Sequence, residues 1–240
     1  NIGLLLPGEV VSAAQEAFRS GKVPINSAEG FIRQVIGWRE FMWNCYWRWM
    51  PEYKDLNALN ATRPLPPLFT RSKPTPMRCM QSALEHVHDR AYAHHIERLM
   101  VLGNFALLFG VQPQQVDAWF LEAFVDALPW VVTPNVVAMS QFADLGRITS
   151  KPYICGGAYI SRMGDDCKSC FYNPTESVGE AACPFTTLYW EFIDRHSARF
   201  AKNPRMATQV RSWAGRPESA RKEILVRAAD VRSRAKVGEL

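Results

Sequence analysis

Apolar residues recur along this 240-residue chain with the period of an α-helix, and this pattern constrains the fold more than any other feature. Between positions 28 and 50, one helix face would carry six apolar residues spaced three or four apart: Phe31, Val35, Trp38, Met42, Cys45 and Trp49. The strict alternation of apolar and polar residues that marks half-buried strands does not occur. The sequence therefore predicts an all-α fold.

Prolines divide the pattern into separate helices, because proline favours the first turn of a helix and ends a helix that it enters later. Pro51 ends the first helix, and a proline-rich connector follows it. The predicted elements are helices over 28–50, 77–90 and 92–109, a helix from Pro113 to about Ala127, loops with short helices over 129–163, a helix that begins at Pro184 and is ended by Asn203-Pro204, and one or two helices beyond.

The composition is that of a chain with a sizeable core. Hydrophobic residues make up 48% and charged residues 21% of the chain, which excludes disorder. No apolar run reaches the roughly 20 residues that a membrane-spanning helix needs, so we expect no membrane association. The chain begins at Asn1 without an initiator methionine or a signal peptide, and we expect it to be a segment of a longer protein.

The positive charge is concentrated at one end of the chain. The net charge is +5, and residues 201–240 contain ten Lys or Arg against four Asp or Glu. A basic helix of this kind can bind a polyanion, because binding releases counterions. A solvated helix face is the other interpretation, and the sequence leaves both open.

The cysteines are spaced as metal ligands. Cys167 and Cys170 form a C-x2-C pair, and Cys183 follows directly before a proline. A fourth ligand must come from Cys45, Cys79 or Cys155. Zinc and iron–sulfur clusters both take four thiolates, so the spacing predicts a metal site without choosing the metal. Reduced cysteines that only pack are the alternative.

A histidine pair lies at the start of an apolar stretch. His94 and His95 precede Arg98, and adjacent side chains on a helix point about 100° apart. We therefore expect one histidine to line a pocket and the other to orient it or to cap a neighbouring group. Asp126 is the acid expected to meet Arg98. A buried pair of this kind is costly unless it serves a planar or charged ligand.

Polar residues also accompany the tryptophans of the first predicted helix. Gln34, Trp38 and Arg39 lie close together on it, and Trp43, Trp47 and Trp49 follow. An aromatic core helix explains Trp49. For the polar residues Gln34 and Arg39, the alternative to a core helix is a helix face that binds a ligand.

Several longer motifs point to one family. They are FIRQVIGWREF, NALNATRPLPPLF, AHHIERLMVLGNFALL and PNVVAMSQFAD, together with the cysteine pattern that closes on ACPF. Together they resemble the iron–sulfur bacterial cryptochrome and photolyase family, the prokaryotic (6-4) photolyases. The resemblance implies that residues 1–210 form the helical FAD-binding catalytic domain and that 211–240 form a basic helical tail. The N-terminal antenna domain of the family, with its chromophore, would lie upstream.

The resemblance implies two cofactors. Positions that match the ligands of a 4Fe-4S cluster are Cys79, Cys167, Cys170 and Cys183, which leaves Cys45 and Cys155 as ordinary thiols, with Cys155 as a possible substitute ligand. Positions that match the FAD pocket are Arg39, His95, Arg98, Asp126, Asn135, Met139 and Gln141.

The resemblance also implies light-driven repair of (6-4) photoproducts in UV-damaged DNA. The residues that would contact the flipped-out lesion are Gln34, Trp38, Tyr153 and Tyr159. His94 and His95 match the catalytic histidines, with His95 as the expected proton donor. Trp119 is the candidate electron relay. The protein would act as a monomer in the bacterial cytoplasm.

Three positions depart from the family pattern. Val132 would face N5 of the flavin where close relatives have an acid, Phe120 replaces a redox-active tyrosine, and Leu128 is not aromatic. Two alternatives to repair remain, the first favoured by these departures and the second made conceivable by the missing upstream segment. One is a cryptochrome that senses blue light with the same flavin and cluster, and the other is a helical DNA-binding module without flavin.

Overall fold

The fold is helical, as the periodicity predicts. The computed structural model describes residues 3–70 and 74–240. In this part of the chain, extended segments pair only at two isolated bridges, Arg63 with Val111 and Asn173 with Ala182. The α-helices here are α1 (Pro7–Arg19), α2 (Ile25–Arg33), α3 (Arg39–Trp49), α4 (Arg78–Arg90), α5 (Asn104–Phe109), α6 (Pro113–Ala123), α7 (Pro129–Pro134), α8 (Gly157–Met163), α9 (Pro184–Arg195), α10 (Ser197–Phe200), α11 (Ala207–Ala214) and α12 (Glu218–Lys236).

Three π-helical segments interrupt this pattern. Gln34–Trp38 joins α2 to α3, Glu97–Gly103 leads into α5, and Asn135–Ser140 continues α7. Short 3-10 helices lie at Glu52–Asp55, Pro67–Thr70 and Asp166–Ser169. A π-helical turn holds one more residue than an α-helical turn, so it shifts which side chains face a neighbouring element.

Some helix boundaries differ from the predicted ones. The helix predicted over 92–109 begins at His95, because residues 92–94 are not helical, and α6 ends at Ala123 because Phe124 is extended. Helix α1 was not predicted from the sequence. None of its residues is buried, so α1 contributes no apolar stripe to the core by which the helix could be predicted.

The helix over residues 95–109, which we call the central helix, forms the middle of the core. Every residue from Leu99 to Phe109 is buried. Helix α9 packs against it, and the rings of Phe105 and Phe185 lie 5.6 Å apart in an edge-to-face contact. Helix α12 covers the outer side of α9 and contributes Ile224, Ala228, Val231 and Ala235 to the same core. The boundary at residue 210 stays a prediction.

Guanidinium groups terminate the central helix. Arg63 donates to the carbonyl of Phe109 (3.0 Å), and Arg195 donates to that of Leu108 (3.0 Å). The chain then turns at Gly110 with a φ of +87°, where a Cβ atom would lie 2.6 Å from Nη1 of Arg63. Cations at this end also interact favourably with the helix dipole.

We expect D117N to stabilise the fold at alkaline pH. Asp117 on α6 accepts a hydrogen bond from the Thr133 hydroxyl (3.1 Å), while its other oxygen is buried without a partner among the described residues. Burial raises the pKa of this carboxyl to about 6. Because the folded pKa exceeds the unfolded value of about 3.9, stability is lost as pH rises from about 4 to about 6.

Urea unfolding at pH 4 and at pH 8 tests this expectation. At pH 8 the variant should be more stable by on the order of 2 kcal/mol, and near pH 4 the difference should vanish. Glu122→Gln, on an exposed position of the same helix, is the control. An equal gain for D117N at both pH values would contradict the ionisation argument.

Candidate functional site

The three π-helical segments meet around one cavity of about 750 Å³, which we call the main cavity. Its wall consists of Gln34, Trp38, His95, Arg98, Leu99, Phe120, Asp126, Val131, Val132, Asn135, Val136, Met139, Ser140 and Tyr153. Eight of these residues belong to the π-helical segments. Segments of this kind are rare and occur often at functional sites, so their convergence marks this cavity. Its volume lies within the range of small-molecule sites.

An ion pair forms the polar part of the wall. The guanidinium of Arg98 donates two hydrogen bonds to the carboxylate of Asp126, at 3.0 and 3.1 Å, as the sequence predicts. Nε of Arg98 donates to the carbonyl of Ala93 (2.6 Å), and the group lies over the ring of Phe124 at 4.2 Å. These contacts hold a planar cation in one orientation at the edge of the cavity.

The adjacent histidines face different spaces. His95 lines the main cavity but is still open to solvent, whereas His94 lines a second cavity of about 370 Å³ on the other side. Desolvation in the cavity wall, then the positive charge of Arg98, lower the pKa of His95. His95 is therefore mostly neutral at pH 7 in the unliganded chain.

His94 caps the central helix. The ring nitrogen Nδ1 of His94 accepts a hydrogen bond from the backbone N–H of Ile96 (3.2 Å). The backbone N–H of His94 donates to Oε2 of Glu97 (2.9 Å). This reciprocal arrangement is a capping box. The other oxygen of Glu97 contacts Nδ1 of His86 on α4 at 2.8 Å, so the turn that carries both histidines is attached to a second helix.

The structure brings together eight of the predicted cofactor and substrate residues at the main cavity: Gln34, Trp38, His95, Arg98, Asp126, Asn135, Met139 and Tyr153. Three others do not line it. Arg39 lies over the ring of Trp130 at 5.0 Å, and Gln141 is buried and donates to the carbonyl of Gly103 (3.2 Å). Tyr159 lies on α8 beside Arg162. The roles predicted for all of these residues stay predictions.

Sequence reasoning missed several residues of the cavity wall. Leu99, Val131, Val136 and Ser140 line the main cavity, but their spacing is that of an ordinary core helix. One residue, Gly103, does mark close packing behind this wall in the sequence. A Cβ atom on Gly103 would lie 2.3 Å from the hydroxyl of Ser140, so only glycine fits there.

Aromatic contacts lead from the main cavity to Trp119. Phe120 lines the cavity, and its ring lies 5.3 Å from that of Trp119 and 5.1 Å from that of Phe124. Trp119 also contacts Phe69 on the side of the core at 5.1 Å. Its role as an electron relay stays a prediction.

Four cysteines surround another, smaller cavity, which we call the cysteine cavity. Cys79 comes from α4, Cys167 and Cys170 from the 3-10 turn at Asp166–Ser169 and its end, and Cys183 from the residue before α9. Gly157 lines the same cavity, and a Cβ atom there would lie 2.7 Å from Sγ of Cys183. The fold thus places the distant Cys79 beside the three cysteines that share a sequence motif.

Burial and mutual proximity control the ionisation of these thiols. Desolvation, then the other three thiols, hold the pKa of Cys79 well above its usual value, and burial raises the pKa of Cys183 to about 11. Without a compensating cation, the thiols of Cys79 and Cys183 therefore stay protonated. Cys155 does not line the cavity; it receives a hydrogen bond from Asn104 at 3.3 Å.

Comparison with known proteins identifies the family. A (6-4) photolyase from Agrobacterium fabrum is 46% identical over 229 residues, which cover 95% of this chain and 45% of that protein. This chain belongs to the bacterial (6-4) photolyase family. It spans a little under half the length of the photolyase relative. No family model matches it.

One further relative shares part of this photolyase-family sequence. It is the uncharacterized protein R855 of Acanthamoeba polyphaga mimivirus, which is 33% identical over 101 residues, or 42% of this chain and 75% of that protein. Among the residues that the structure describes, no helix combines the length and apolarity needed to cross a membrane.

Proposed function

We propose that this chain forms the flavin-binding, catalytic part of an enzyme that uses light to reverse (6-4) pyrimidine–pyrimidone photoproducts in DNA. The observation that carries the proposal is the main cavity, where His95 and the Arg98–Asp126 ion pair share one wall. The 46% identical relative is named a (6-4) photolyase, and this name favours repair over the light-sensing alternative.

The main cavity fits a flavin by its chemistry. Its wall is mostly apolar, as a ring system requires, and it carries few, well-oriented polar groups. We propose that FAD binds with its ring against Arg98, Asp126 and Asn135, with Met139 on the apolar side. When bound and fully reduced, FAD supplies the photoexcited electron that the repair reaction needs.

The chain's own residues would bind and protonate the lesion. A base inside a duplex cannot reach the cavity, so the damaged bases must be extruded, and Gln34, Trp38 and Tyr153 line the wall that would receive them. His95 would donate a ring proton as the bridging oxygen group transfers back to its original base. The negative charge of bound DNA would raise the pKa of His95, so His95 would become protonated when the substrate is present.

We propose that the cysteine cavity holds a 4Fe-4S cluster through Cys79, Cys167, Cys170 and Cys183. Its donor set supports this, since four thiols face one another there. Among the described residues, no three His, Cys, Asp or Glu side chains lie close enough together to hold a single ion. In a cluster each iron takes its own thiolate, so the ligands need not converge on one point. A zinc site would require that convergence.

We further propose that UV-damaged DNA is the partner and that the protein acts as a monomer in the bacterial cytoplasm. All six cysteines are free thiols, which is typical of a reducing compartment. Size-exclusion chromatography of the purified protein, with and without DNA, tests the monomer.

A repair assay tests the proposed function. The flavin-loaded protein is mixed with an oligonucleotide that contains one (6-4) photoproduct and is exposed to blue light, with a sample kept dark as the control. We expect native thymines to reappear only in the illuminated sample. Tight binding of the damaged oligonucleotide without repair in the light would contradict the proposal and support a light sensor.

A further inference from the structure

Two segments of the chain carry positive charge with no acid among them. Residues 145–164 contain Arg147, Lys151 and Arg162 but no Asp or Glu, and residues 195–217 contain six Lys or Arg and again no Asp or Glu. Acids that precede these segments are otherwise engaged. Asp144 is buried and accepts a hydrogen bond from the Tyr53 hydroxyl (2.6 Å), and Asp194 accepts one from Nε1 of Trp213 (2.7 Å).

The fold joins the two acid-free segments at Ser150. The side chain of Asn203 donates to the carbonyl of Ser150 (2.9 Å), and Arg205 donates to its hydroxyl (2.9 Å). Lys151 and Lys202 are direct chain neighbours of Ser150 and Asn203, and both are exposed. Charges that lie more than 50 residues apart in the sequence therefore form one continuous surface.

This surface begins at the main cavity. Tyr153 lines the cavity wall and lies only three residues, or at most about 10 Å of chain, after Ser150. At its other end the surface opens into a groove of about 720 Å³ lined by Leu59, Asn60, Arg195, His196, Ala198, Arg199 and Lys202. No acidic residue lines the groove.

Three of the six cations of the tail helix α12 pair with carboxylates. In α12, Lys222 pairs with Glu218 (2.7 Å), Arg227 with Asp230 (2.5 Å), and Arg232 with Glu191. Across the described residues, no carboxylate forms an ion pair with Lys151, Arg199, Lys202 or Arg205. Carboxylates thus offset part of the positive charge of α12, whereas the four cations beside the main cavity are all exposed.

We infer that Lys151, Arg205, Lys202 and Arg199, which we call the basic track, bind the phosphodiester backbone of the DNA strand that flanks the extruded lesion. The inference rests on the proposed function for its partner. The track leads away from the cavity that would take the bases, and each strand of DNA offers one phosphate per 3.4 Å of helix axis. Phosphate contacts of this kind fix the register of a strand without reading its sequence.

The salt dependence of DNA binding in the dark tests the basic track. The test variant is K151Q/R199Q/K202Q, and the control is K22Q/K222Q/K236Q, which removes the same charge from exposed positions elsewhere. Dissociation constants for undamaged and (6-4)-containing duplexes are measured from 50 to 200 mM salt. Circular dichroism verifies that both variants are folded.

We expect the test variant to lose about tenfold or more in affinity at 0.1 M salt, on both duplexes. The slope of log K against log[salt] should become shallower by about 2 to 3, since each phosphate contact contributes about 0.9. The control variant should keep the slope of the unmodified protein.

Three outcomes would overturn the basic track: an unchanged slope in the test variant, an equal loss in the control variant, or no binding of DNA by the unmodified protein. Failure of the proposed function has a different signature. In that case the slope would respond to K151Q/R199Q/K202Q as expected, but illumination would not repair the photoproduct.

Discussion

Replacing His95 with alanine should lower light-driven repair of (6-4) photoproducts by about 100-fold or more while FAD remains bound. Loss of a positioned general acid typically costs a factor of about 10² to 10⁴. The ion pair between Arg98 and Asp126 is made without His95, so the flavin-binding wall should survive. Chromatography of the restored thymines measures repair, and the visible absorbance of the protein measures bound flavin.

His94→Asn is the matched control for this experiment. His94 lines the other cavity, and asparagine can take over its capping bond to the N–H of Ile96. We expect the H94N variant to keep repair within about tenfold of the unmodified protein. Full repair by H95A would remove His95 from the mechanism, and a larger loss in H94N than in H95A would reverse the roles of the two histidines.

Replacing Cys79 with serine should remove the iron and destabilise the protein. Cys79 is the cysteine that ties α4 to the cysteine cavity, so its loss should release the cluster together with this attachment. Loss of a bound metal group worth about 4 kcal/mol would lower the Tm of a chain of this size by roughly 10 °C. Iron and acid-labile sulfide analysis, visible absorbance and thermal unfolding measure these effects.

Cys155→Ser controls for the loss of a buried thiol. Cys155 lies outside the cysteine cavity, and a serine hydroxyl can keep the hydrogen bond from Asn104. This variant should retain both iron and visible absorbance. Zinc in place of iron in the unmodified protein would contradict the cluster, and full iron content in the C79S variant would remove Cys79 from the ligands.

Local pattern was sufficient to predict several elements. The helical period predicts α3 and α9, because apolar residues recur every three or four positions in both segments. The proline at the start of α6 and α9 predicts where these helices begin. The Arg98–Asp126 pair was also expected, since a cation on an apolar helix requires a partner.

The shape of the site could not be predicted in the same way. The π-helical segments shift the register of three helices by one residue each, and it is this shift that surrounds the main cavity with Gln34, Arg98 and Asn135. Intrinsic helix propensity does not distinguish a π-helical turn from an α-helical one. The divergence of His94 and His95 into two cavities likewise follows from where the central helix begins.

The cysteines and the charged residues also separate what the sequence determines from what the tertiary structure determines. The sequence by itself determined the helical class, the C-x2-C motif and the excess of basic residues near the C-terminus, because each of these is a property of neighbouring residues. The cysteine spacing left three candidates for the fourth position, and the tertiary structure brings Cys79 beside the motif, as the resemblance implies, and decides which cations remain exposed. Cys79 lies 88 residues before Cys167, and Glu191 lies 41 residues before the arginine that it neutralises. Contacts over such distances depend on how helices pack, and a linear pattern does not encode that packing locally.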